Sequence, residues 1–137
     1  MEGKFKLTLV TPERRLLHEE EVDRVAVRGS EGEMGILYDH SPMVTPLGIG
    51  IMRAVSGKDV QTFAISGGGY AEILPEQVTI LADIAEFPGE IDVERARQAR
   101  ERAEKRLSSA EEEVNFTRAR VALMRALTRL EAAGWNE

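Results

Sequence analysis

The chain has 137 residues and no cysteine, enough for one small domain with an appendage, and disulfides and thiolate metal sites are excluded. Eighteen basic and 24 acidic residues give a net charge of -6, the wrong sign for a nucleic-acid binder, which needs excess Lys and Arg to neutralise phosphates. No segment approaches the ~20 apolar residues of a membrane span, and the opening Met1-Glu2-Gly3-Lys4-Phe5-Lys6-Leu7 alternates charged and apolar residues, unlike a secretory leader.

Short β-patterned runs come first: Phe5 to Val10, Glu21 to Val27, Gly35 to Leu37, Ile49 to Val55, Val60 to Ile65, Tyr70 to Leu74 and Val78 to Ala82. Phe5/Leu7/Leu9 and Val25/Val27 alternate as half-buried strands do. The separators are Arg28-Gly29-Ser30-Glu31-Gly32, Ser56-Gly57-Lys58-Asp59, Ser66-Gly67-Gly68-Gly69 and Leu74-Pro75-Glu76. Strands this short and this closely spaced predict a sandwich or a barrel over residues 1–87.

The pattern changes at Phe87-Pro88-Gly89. All five prolines and 11 of the 12 glycines lie at or before Gly89. Residues 1–89 hold 8 basic and 14 acidic residues, a balance of -6, whereas residues 90–137 hold 10 and 10. Residues 88–137 read as a second unit, an antiparallel helical hairpin. Asp92 is its N-cap, Glu94 lies at the positive end of the helix dipole, and Ala96, Ala99, Ala103 and Leu107 form a stripe. Ser108-Ser109 marks the turn. A second helix is expected from about Glu111 to Ala133, with Phe116, Leu123, Leu127 and Leu130 along one side and Gly134 as its stop. An alanine stripe buries little apolar area, so the hairpin is expected to be stable when docked or liganded and able to open otherwise.

Catalytic groups are hard to assemble from this inventory. Asp39-His40-Ser41 are adjacent on a loop closed by Pro42, which cannot present a relay to one substrate atom. His18 beside Glu19-Glu20-Glu21 reads as a solvated loop, because two scattered histidines fall short of a metal ligand set. Gly67-Gly68-Gly69 lacks the Lys-Ser/Thr of a phosphate loop and reads as a hairpin or bulge. Glu111-Glu112-Glu113 reads as a solvated helix start.

The arginines are the remaining candidates. Arg95 and Arg102 share a face of the first helix, and Arg118, Arg125 and Arg129 share a face of the second. If those faces converge near Asp92, the guanidinium groups repel one another unless an anion fills the site, and their planar forks suit phosphate oxygens. The competing reading is a solvated face with pairs such as Asp92 with Arg95 and Glu101 with Lys105, and spacing alone favours it.

Three segments remain: Gly32-Glu33-Met34-Gly35-Ile36-Leu37 with His40-Ser41-Pro42 and Leu47, Ser66-Gly67-Gly68 before Tyr70, and Ile91-Asp92-Val93-Glu94-Arg95-Ala96. On these, and over nearly its whole length, the chain resembles the epsilon subunit of the bacterial F-type ATP synthase, the first two segments being similar to family signatures and the third to the motif of members that bind ATP. The resemblance implies a flattened N-terminal β-sandwich followed by a two-helix hairpin, in a non-catalytic rotor subunit peripheral to the cytoplasmic face of the membrane. It implies a sandwich that holds the gamma subunit and rests on the ring of c subunits. It also implies a hairpin that folds down, or extends toward the alpha and beta subunits and inhibits ATP hydrolysis. No cofactor is required. ATP is the implied regulatory ligand, with Arg95, Arg102, Arg125 and Arg129 for its phosphates and Asp92 and Glu86 as acceptors for the adenine amine or ribose. Glu33, Tyr38, Asp39, His40 and Ser41 are the implied gamma and c-ring contacts, although turn structure accounts for His40 equally well.

Overall fold

A computed structural model describes residues 3–109 and 115–135. Eight strands precede two helices: β1 (Phe5–Val10), β2 (Arg15–Val22), β3 (Arg24–Gly29), β4 (Gly32–Leu37), β5 (Met43–Leu47), β6 (Gly50–Ser56), β7 (Asp59–Ile73), β8 (Gln77–Glu86), α1 (Val93–Ser108) and α2 (Phe116–Ala132). The expected α+β organisation, a β-sandwich followed by two helices, is what forms. One layer runs β2-β1-β8-β7-β5 and the other β4-β3-β6-β7. β7 belongs to both layers because it has 15 residues, pairing with β6 through Ile65 and with β5 from Gly69 onward. Inward side chains of both layers, including Phe5, Leu7, Leu9, Val25, Ile36, Met52, Phe63 and Ile80, are almost wholly buried and form the main core.

Several expected boundaries move for identifiable reasons. The run Glu21–Val27 is two strands, because Asp23 interrupts it: its backbone N–H bonds to the Val55 carbonyl (2.7 Å) and its carboxylate accepts from Gly57 N–H. His18 lies exposed within β2 rather than in a loop, and β2 escaped detection because four of its eight residues are charged. β5 carries Pro46 and flanks Pro42, which obscured it. Ser66-Gly67-Gly68-Gly69 does not separate two strands. It is the bulged middle of β7, where the register against β8 shifts between Ile65 and Gly67.

Gly69 shows why the bulge is built from glycine. It is paired with both Leu47 and Ala82, and a Cβ there would overlap the Leu81 carbonyl. At Gly68 the nearest atom to such a Cβ is 3.5 Å away, an ordinary contact. Gly69→Ala is therefore expected to lower stability by roughly 2 kcal/mol or more while Gly68→Ala costs less than about 1 kcal/mol, as checked by urea or thermal denaturation.

Both helices are capped, the first by Asp92 as the sequence predicts and the second by Asn115, which the sequence pattern did not single out. Asp92 Oδ1 accepts from Arg95 N–H (3.1 Å), and Asn115 Oδ1 accepts from Arg118 N–H (3.0 Å). The expected start of the second helix near Glu111, with Glu111-Glu112-Glu113, lies outside the described residues. Gly134 ends α2 in the left-handed region (φ 75°), with Trp135 N–H bonded to Leu130 O and Gly134 N–H to Glu131 O. This returning end lays Trp135 beneath the Arg100 guanidinium of α1, 5.1 Å from the ring centroid.

The side of α2 turned inward differs from the expected Phe116/Leu123/Leu127/Leu130 stripe. Ala119, Ala126 and Leu130 are buried, as are Ala96 and Ala103 of α1, whereas Phe116 and Leu127 stay about half exposed. Small residues on both helices allow close approach, which draws the alanine faces together and leaves larger side chains outside. Among the described residues no helix is long and apolar enough to cross a membrane.

Candidate functional site

The site begins with an irregularity in β7. Ser66 has no register partner in β8 or β6, because the ladder slips between Ile65 and Gly67. Arg125, on the α2 face turned to the sandwich, donates from Nε to the Ser66 carbonyl at 2.9 Å. One turn later Arg129 donates from Nε to Glu86 Oε1 at 2.7 Å, at the end of β8. Spacing of i, i+4 places both guanidinium groups on one ridge. Between α2 and the sandwich lies a small second core of Ile51, Ala64, Ile91 and Ala132, with Ala133 against it. The hairpin is thus folded down beside the sandwich. The Ser66 hydroxyl is fully buried here and has no hydrogen-bond partner among the described residues.

α1 presents a different electrostatic picture. Arg97 is neutralised by Glu94 (2.6 Å) and Glu101 (2.5 Å), and these contacts raise its pKa and lower that of Glu94. Glu101 therefore pairs with Arg97 rather than with Lys105. Arg95 and Arg102 are exposed and form no side-chain hydrogen bond or ion pair among the described residues. Asp92 uses one oxygen as the helix cap and is otherwise exposed. Of the six residues proposed for ATP, the structure joins Glu86 directly to Arg129 and Asp92 to the Arg95 backbone. It ties Arg125 to the sandwich and leaves the Arg95 and Arg102 side chains unengaged.

The five residues proposed for partner contact fall in two places. Glu33 is exposed on β4, opposite Arg28, beside a groove of about 300 Å3 that Met124, Leu127 and Glu131 of α2 also line. Tyr38, Asp39, His40 and Ser41 form the β4–β5 connection, five or more residues and thus roughly 17 Å along the strand from Glu33. Asp39 adopts the left-handed region (φ 65°) and its N–H bonds to Pro75 O at 2.8 Å. His40 Nδ1 donates to the Ser41 carbonyl at 2.7 Å.

Two features were not anticipated. The outer face of one layer carries an apolar row, Val10, Leu81, Tyr70 and Pro46, in register across β1, β8, β7 and β5. Tyr70 and Leu81 are 56% and 49% exposed, and the row borders a depression of about 560 Å3. Its signal in the sequence was the outward half of the β alternation, which carries large apolar residues where polar ones are usual. The second feature is Arg14, which bonds both Glu90 carboxylate oxygens (2.5 Å each). Glu90, three residues after Phe87, has the spacing of a capping acid and accepts from Phe87 N–H at 2.9 Å.

The comparisons with known proteins follow that division of the chain. Residues 4–88 match the ATP synthase delta/epsilon chain beta-sandwich domain, and residues 90–134 match the delta/epsilon chain long alpha-helix domain. The chain belongs to the ATP synthase epsilon chain family. An ATP synthase epsilon chain of Syntrophobacter fumaroxidans is 51% identical over 133 residues, covering 97% of this chain and 98% of the relative. One of Halalkalibacterium halodurans is 50% identical over 129 residues, covering 93% and 96%. In the Euglena gracilis mitochondrial ATP synthase (OSCP/F1/c-ring in rotational state 1), one chain superposes with a TM-score of 0.81 at 32% identity, over 96% of this chain and 81% of that one.

The electrostatics give two expected outcomes. The Arg14 hydrogen bond, with that of Phe87 N–H, lowers the Glu90 carboxyl to about 2 from 4.5. A depressed carboxyl contributes stability above its unfolded pKa and loses it as pH falls from about 4.5 toward 2. NMR titration should find Glu90 near that value, and Arg14→Ala should return it toward the ordinary carboxylate range. Arg125→Ala and Arg129→Ala should each weaken docking of α2 by about 1 kcal/mol, while Arg95→Ala and Arg102→Ala leave unliganded stability within about 0.5 kcal/mol, as read by thermal unfolding.

Proposed function

We propose that this epsilon chain is a non-catalytic rotor subunit of the F-type ATP synthase central stalk, peripheral to the cytoplasmic face of the membrane, whose hairpin responds to ATP. The observation that carries the regulatory half is the asymmetry of the arginines. Arg125 and Arg129 fasten α2 to the sandwich, while Arg95 and Arg102 remain un-neutralised on α1. An anion with several phosphates would supply the charge these side chains lack and favour the folded-down form. By mass action, a ligand at ten times its dissociation constant adds about 1.4 kcal/mol to the form that binds it. ATP as that ligand is supported by the motif Ile91-Asp92-Val93-Glu94-Arg95-Ala96, with Asp92 and Glu86 as acceptors for the adenine amine or ribose. When α2 leaves, Arg125 and Arg129 lose their acceptors and the hairpin is free to extend toward the alpha and beta subunits, where it inhibits ATP hydrolysis.

The coupling half is supported by the apolar row Val10, Leu81, Tyr70 and Pro46, an exposed sheet face of the kind that docks a protein partner. We assign gamma-subunit and c-ring contact to the sandwich, with Glu33 and the Tyr38–Ser41 connection as further contacts. Torque then passes through a β module while the hairpin sets whether hydrolysis proceeds.

A second reading is favoured by one specific observation: the two α2 arginines already have protein acceptors, so they hold the hairpin down with no ligand. Here they are latches alone. Isothermal titration of the purified chain with ATP separates the two. Saturable binding is expected, weakened about fivefold or more by Arg102→Ala, which removes a phosphate donor without touching the latches. No saturable heat at millimolar ATP would leave the latch-only reading standing.

A further inference from the structure

We infer that the hairpin turns about Ile91 and Asp92, with Arg14 keeping the Pro88–Glu90 turn on the sandwich when the helices leave. This rests on the reading that the hairpin opens. The abrupt change of composition at Phe87-Pro88-Gly89 invites the idea that those residues are the hinge, yet they are the most heavily fastened part of the connection. The Phe87 ring lies 5.2 Å from that of Phe63, which is fully buried in the main core. Arg14 lies over the Phe87 ring at 5.8 Å, grips both oxygens of Glu90, and reaches the Ala85 carbonyl at 3.4 Å. Glu90 in turn accepts from Phe87 N–H. Arg14 is itself set by a tight turn, in which Thr11 N–H bonds to Arg14 O (2.8 Å) and Arg14 N–H to Thr11 Oγ1 (3.2 Å). Every one of these contacts lies within the sandwich and the Pro88–Glu90 turn, so departure of the helices removes none of them.

Beyond Glu90 the situation reverses. Ile91 and Asp92 have extended backbones (ψ 127° and 99°) between a 3-10 turn and a helix. The Ile91 side chain is buried in a cluster shared between Ile51 and Ala64 of the sandwich and Ala132 of α2, so departure of α2 removes part of its cover. Asp92 belongs mechanically to α1, whose N-terminus it caps. Rotation about the torsions of these two residues frees the helices while breaking no hydrogen bond that holds the turn.

Backbone 15N relaxation on the full-length chain tests this, with Arg125→Ala/Arg129→Ala as the undocked form. The expected result is that α2 tumbles independently of the sandwich while the amides of Phe87, Gly89 and Glu90 keep order parameters near the rigid value of about 0.85, with order dropping from Ile91 or Asp92. Adding Arg14→Ala should move that drop upstream to Phe87, with values for Gly89 and Glu90 falling below about 0.6. Loss of order from Phe87 onward with Arg14 intact would overturn the pivot, as would no effect of Arg14→Ala in the undocked form. If α2 stays rigid with the sandwich in the double variant, the opening itself is refuted and the pivot falls with it, an outcome distinct from the other two.

Discussion

One backbone carbonyl, that of Ser66 at a bulge in the longest strand, receives Arg125 of α2, and the relation between the two parts of the chain depends on that contact. β7 must serve both layers, and a strand shared between layers has to bend where it changes partners. The bend falls at Ser66-Gly67-Gly68-Gly69, where Gly69 admits the Leu81 carbonyl and the register slip leaves Ser66 without a register partner in β8. An acceptor in that position is costly unless a donor arrives, because a buried carbonyl without a partner loses its hydration. Arg125 supplies the donor. Sandwich topology thus creates the anchor point that α2 uses, and the same feature links sheet closure to hairpin position.

Most elements and their order were legible in the sequence because each has a local cause, whereas β2 and β5 were hidden by their charges and prolines. Alternation marked β1, Asp92 and Ser108-Ser109 marked the ends of α1, and Gly134 marked the end of α2. What else the sequence hid is non-local. Arg14 and Glu90 are 76 positions apart, and Arg125 and Ser66 are 59 apart, so no periodicity connects them. Spacing also treated the arginines implied for ATP as equivalent, whereas Arg125 and Arg129 find protein acceptors and the side chains of Arg95 and Arg102 find none among the described residues. That distinction arises from which side of α2 meets the sandwich. The larger apolar residues suggested one side, and the alanines, which permit closer helix contact, decided for another.

This choice of interface also explains how the hairpin can be both folded and releasable. An Ala-lined contact between α1 and α2, clasped at its open end by Trp135 on Arg100, holds the helices to each other. Docking of the pair onto the sandwich relies, among the described residues, on a small second core of Ile51, Ala64, Ile91 and Ala132, together with the Arg125 and Arg129 contacts and an ion pair of Glu131 with Arg53 at 3.9 Å. Burial of so few side chains is worth a few kcal/mol, at ~25 cal/mol per Å2, before the loss of chain entropy is counted. A polyphosphate ligand acting through charge-assisted hydrogen bonds works on the same scale.

The strength of the connection before the helices sharpens this further. A loose linker would let the hairpin sample many directions and would raise the entropic cost of docking it again. In the proposed opening, a turn pinned by Arg14, Phe87 and Glu90 would confine the freedom to two residues, so that an open hairpin would remain aimed from a fixed point on the sandwich and re-dock at a lower entropic cost. Such confinement matters for a helix pair whose docking energy is small: with a marginal interface, the equilibrium between the two positions is set as much by how little freedom is gained on release as by how few contacts are lost.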